Sequence, residues 1–61
     1  MMFEYYLVVL HDGGTAGMIY HTEFSLNTKQ GLFKMTELLK NDGFSNPVIM
    51  YIRELQEKEE L

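Results

Sequence analysis

Cysteine is absent from the 61 residues, which excludes a disulfide framework and a thiolate metal site and leaves the redox compartment open. Basic side chains are few. Five Lys and Arg stand against nine Asp and Glu, for a formal net charge of -4, with no cluster of either cation. A protein that tracks a nucleic-acid backbone displays such a cluster, so that class is disfavoured, while mild acidity suits solubility and contact with a basic surface. No apolar run approaches the roughly 18 residues that span a bilayer, and the start M-M-F-E-Y-Y has no basic n-region. A soluble, unexported, cytoplasmic protein is the expectation. A chain this short buries only about 60% of its unfolded surface, and with neither disulfide nor thiolate metal site available, association is the remaining source of stability.

Chemical motifs are equally scarce. His11 and His21 have only scattered carboxylates near them in sequence and no H-x-x-x-H pair, so no metal site is expected. Asp12 and Glu23 sit on a turn and at the far end of a strand, in a chain with too little room for a sugar cleft. Gly13-Gly14-Thr15-Ala16-Gly17 lacks the Gly-Lys-Ser/Thr of a phosphate loop and joins two strands instead of a strand and a helix. The expectation is a non-enzymatic protein with no catalytic residue and no cofactor.

What is present is organised around Phe3 to Leu10, F-E-Y-Y-L-V-V-L. Phe3, Tyr5, Leu7 and Val9 alternate with Tyr6, Val8 and Leu10, so both faces are apolar and the strand needs cover from two sides. The D-G and G-G pairs after His11 read as a reversal into a second strand, Met18 to Phe24, whose Ile19, His21, Glu23 face is the more polar. Asn27, with Gln30 three positions later, reads as a helix cap. Leu32, Met35 and Leu39 follow at helical spacing, with Phe33 beside them and Leu38 widening the stripe. Gly31 implies a close approach of helix to sheet. Gly43 is placed as a left-handed stop that returns Phe44 onto Leu39. Pro47 opens a third strand, Val48 to about Leu55, with Val48, Met50 and Ile52 on one side and Ile49, Tyr51 and Arg53 on the other. Residues 1–55 therefore read as a single α+β domain: β-β-α-β, a three-stranded antiparallel sheet with one helix on one face. Met1 and Met2 are expected to fray, and residues 56–61 form a charged tail.

The single helix covers one sheet face and leaves the other for another molecule. Tyr5, Tyr6, Tyr20, Tyr51, Phe3, Phe24 and Phe33 are too poorly supplied with basic neighbours for a base-stacking platform, and read as core or protein interface. A homodimer through Tyr6, Val8, Leu10, Ile49 and Tyr51 is the direct expectation.

The stretch Y-Y-L-V-V-L-H-D-G-G-T-A-G-M-I-Y-H-T-E-F-S-L, Tyr5 to Leu26, resembles the p56 family of uracil-DNA glycosylase inhibitors from small Bacillus phages. The resemblance rests on Asp12 and Gly14, Tyr20-His21, Phe24-Ser25-Leu26 and Ile52-Arg53-Glu54. It implies an acidic homodimer in the host cytoplasm that resembles DNA, seals the DNA-binding face of the enzyme and receives an apolar loop tip in a groove around Phe33. Ile19 stands where the family has a strand Glu, leaving Glu23 as the substitute, and the helix is longer than the family's. Glu4, Glu23, Glu37, Tyr20 and Phe33 are accordingly the candidate partner-binding residues, and the partners are a second copy and a DNA-binding enzyme, with no direct nucleic acid and no membrane. The alternative is a homo-oligomeric adaptor with another partner.

Overall fold

The computed structural model describes residues 2–55, so the expected charged tail at 56–61 and the fraying of Met1 lie outside the described residues. The elements are β1 (Phe3–His11), β2 (Gly14–Thr22), α1 (Lys29–Asn41) and β3 (Val48–Glu54). They form an α+β fold, a three-stranded antiparallel sheet in the order β2-β1-β3 with α1 on one face. The two-sided strand read from the sequence is the central one.

Alternation in β1 sends Tyr5, Leu7 and Val9 into the core, where they meet Leu26, Met35 and Leu39. Leu7, Val9, Met35 and Leu39 are completely enclosed, and each contributes about 1.5–3 kcal/mol by leaving water. The Tyr5 hydroxyl accepts the Leu26 N–H at 2.9 Å, so its burial leaves no orphaned polar group and fixes the β2–α1 connection to the central strand.

β2 ends at Thr22, two residues before the expected Phe24. Thr22 is buried and donates its hydroxyl to the Phe24 carbonyl at 2.6 Å, a local bond that competes with strand pairing and turns the chain. The helix cap is Thr28, one residue beyond Asn27; its hydroxyl accepts the Gly31 N–H at 2.9 Å. Gly31 does mark a close approach, but to the preceding loop instead of the sheet: a Cβ there would lie 1.8 Å from the Ser25 carbonyl oxygen. With Gly31 pressed inward, the enclosed stripe is Gly31, Met35 and Leu39, with Leu38 half-buried, while Leu32 and Phe33 face outward.

Asp42 closes the helix. Gly43 follows at φ 105, its N–H bonds the Lys40 carbonyl, and the Phe44 N–H bonds the Leu39 carbonyl, the paired bonds of a Schellman stop. Phe44 then packs on the core, as its position after Gly43 implies. The loop beyond is tied to the β1–β2 turn, where Asp12 N–H bonds the Ser45 carbonyl and Asn46 Nδ2 donates to the Asp12 carboxylate at 2.9 Å.

A register shift between Val8 and Val9 puts a bulge in β3: Val8 faces Tyr51, whereas Val9 faces Ile49. Ile49 consequently joins Ile52 against the core, and Val48 turns to the open face opposite Leu10. The simple alternation over this strand is corrected there.

Candidate protein-interaction surface

Register builds the open face of the sheet row by row. Ile19, Tyr6 and Arg53 lie side by side, then Gly17, Val8 and Tyr51, then Thr15, Leu10 and Val48. Tyr6, Leu10, Ile19, Val48 and Tyr51 are all exposed, Tyr51 by half of its surface. The Tyr6 and Tyr51 rings meet edge to face at 6.3 Å between centroids, a favoured aromatic geometry. Gly17 makes room for this arrangement, since a Cβ there would stand 2.5 Å from the Tyr6 hydroxyl oxygen. One end of the face is polar, with His21 Nε2 and the Glu4 carboxylate 3.1 Å apart. An apolar field rimmed by charge has the composition of a protein interface.

Of the residues expected at a dimer interface, Tyr6, Val8, Leu10 and Tyr51 share this face. Ile49 does not, because the bulge turns it toward the helix. Ile19 and Val48 take part instead. Alternation puts Ile19 on the more polar side of its strand, and nothing in the sequence of β3 marks the bulge that reorients Val48.

The five candidate partner-binding residues do not form one surface. Phe33 is 66% exposed on the outer side of α1. Glu37, one turn further on, also faces outward, 3.6 Å from the Lys40 ammonium. Glu4 lies on the open sheet face, across the sheet from the helix. Glu23 is exposed just after β2. Tyr20 is half-buried on the helix side, and its hydroxyl donates to the Asp42 carboxylate at 2.5 Å. Burial, followed by the bond to Asp42 and that group's negative charge, pushes the Tyr20 phenol up to about 12. Tyr20 thus serves as a clasp between sheet and helix.

His11 has a similar local task. Its Nδ1 accepts the Gly13 N–H at 3.1 Å, and its ring meets Phe44 at 4.8 Å. Among the described residues no three His, Asp or Glu side chains gather as a metal site, and no helix is long and apolar enough to cross a membrane.

The fold and surface together define a small α+β protein with one sheet face enclosed by its helix and the other open and apolar. No protein-family model, curated protein or solved structure matches the chain.

Proposed function

We propose that the protein is a small non-catalytic inhibitor that works as a homodimer in the host cytoplasm, blocking the DNA-binding face of a DNA repair enzyme, uracil-DNA glycosylase. The observation that carries this reading is the open apolar sheet face. Tyr6, Val8, Leu10, Ile19, Val48 and Tyr51 form a continuous field that the single helix leaves uncovered. A second copy laid on that face gives an isologous contact and turns both helices outward. Phe33 and Glu37 are then presented to a target, an exposed aromatic anchor with a carboxylate one turn away. The anchor supplies affinity and the net charge of -4 steers approach to a basic DNA-binding cleft. The target itself rests on the resemblance of Tyr5 to Leu26.

The test is titration of the protein into a uracil-excision assay with purified bacterial uracil-DNA glycosylase, at low and moderate salt. The expected result is stoichiometric loss of activity that persists in salt. Full activity in a large excess of the protein removes this target. The same open face would then favour the second reading, a homo-oligomeric adaptor with another partner.

A further inference from the structure

The two edges of the sheet are built differently. β3 carries a bulge, an Arg and a Glu, and is entered through Pro47, all devices that discourage further strand pairing. β2 has none of them. Its nine residues, G-T-A-G-M-I-Y-H-T, contain no Asp, Glu, Lys, Arg or Pro, and they pair with β1 without a register break from Thr22 to Gly14. No backbone hydrogen bond from a loop reaches β2 among the described residues.

The outward-facing groups of this edge follow from one bond. The Glu4 carbonyl accepts the Leu55 N–H at 2.8 Å, so the even-numbered residues of β1 turn their backbone toward β3 and the odd-numbered ones toward β2. Leu7 faces Met18 and Tyr5 faces Tyr20, so the even residues of β2 spend their bonds on β1. Thr15, Gly17, Ile19 and His21 are left with N–H and C=O groups pointing away from the sheet.

We infer that this edge pairs with the same edge of a second copy, antiparallel and centred on Met18. In that register Thr15 faces His21 of the other strand and Gly17 faces Ile19, so each outward-facing residue exchanges both of its bonds. Side chains fit as well: Tyr20 falls opposite Ala16 on the helix side and Ile19 opposite Gly17 on the open side, large against small in both, with Met18 meeting Met18 at the centre. Charge selects the same edge. The chain as a whole is acidic, yet β2 carries no carboxylate, so two copies meet there without direct like-charge repulsion. The edge contact is separate from the open-face contact and rests on the proposed function only in taking self-association as the chain's habit.

Amide hydrogen exchange across a concentration series, with sedimentation on the same samples, reads the edge directly. In an unpaired chain the amides of Thr15, Gly17, Ile19 and His21 exchange quickly beside slow ones at Ala16, Met18 and Tyr20. Edge pairing slows the first set by roughly tenfold when free protein is about ten times the dissociation constant. It also gives a contact between Met18 methyl groups of two copies in a mixed-label sample. The slowing should persist in Tyr51→Lys, which alters the open face alone. A dimer whose four outward amides stay fast at every concentration overturns the edge contact and leaves the face contact standing. A monomer throughout overturns both. Slowing that appears only on adding uracil-DNA glycosylase assigns the edge to a foreign strand and overturns the pairing of copies.

Discussion

The hydroxyl of Tyr20 and the carboxylate of Asp42 stand 2.5 Å apart, joining the edge strand β2 to the closing residue of the helix. The bond favours the protonated phenol, whose pKa is raised from 10.0 to about 12. A group whose folded pKa lies above its unfolded value contributes stability that is complete below the unfolded value and is lost as pH climbs through the folded one. Stability should therefore decline between pH 10 and about 12 from this source. In an alkaline titration followed by phenolate absorbance, Tyr20→Phe should remove a component that ionises near pH 12. Asp42→Asn, which removes the neighbouring negative charge, should move it down.

Gly31→Ala should destabilise the protein even though alanine is the better helix former. The new Cβ would lie 1.8 Å from the Ser25 carbonyl oxygen, a backbone atom that cannot swing aside. A net loss of roughly 1–3 kcal/mol is expected from the forced shift, measured as a lower midpoint in urea.

Gly43→Ala tests the helix stop. At φ 105 an L side chain is strained, and a cost of about 1–3 kcal/mol follows. No neighbour lies within 4 Å of the added Cβ, so the loss reports backbone strain net of the lower entropy of the unfolded chain, and Gly43→Asn should recover part of it.

Tyr51→Lys should abolish the proposed open-face contact while leaving the fold intact, because Tyr51 is half exposed and points away from the core. Sedimentation should show the loss of that association with an unchanged circular dichroism spectrum. Leu7→Ala is the contrasting variant: Leu7 is completely enclosed, and about 2–5 kcal/mol of stability should go.

Phe33→Ala separates function from folding. The ring is 66% exposed, so stability should move by no more than about 0.5 kcal/mol. If Phe33 anchors the target, inhibition of uracil excision should weaken by about 2 kcal/mol or more in binding. Unchanged inhibition would remove Phe33 as the anchor.

Much of the fold was legible because its signals are local. The two-sided alternation of Phe3 to Leu10, the Asp12-Gly13 turn and the Gly43-Phe44 stop each depend on a few adjacent residues. The departures occur where the outcome depends on residues distant in sequence. Asn27 and Thr28 are both competent caps, and the choice follows from how Gly31 seats on the Ser25 carbonyl. That same seating decides which side of a broad apolar helix turns inward, and so leaves Leu32 and Phe33 outside. The bulge in β3 depends on its pairing with β1, so Ile49 and Val48 exchanged faces without any signal in their own strand. As for the candidate surface, Tyr6, Val8, Leu10 and Tyr51 were recoverable from alternation alone. That Tyr20, a candidate partner-binding residue, instead clasps the helix was not, since its contact with Asp42 spans 22 positions.

The bulge opposite Val8 and Val9 also bears on how far the sheet can grow. One edge is regular and uncharged and the other is kinked, so in polymer terms the sheet has a single growing end and a terminator. Pairing two growing ends leaves a terminator on each outer side, so growth by strand addition stops at two copies.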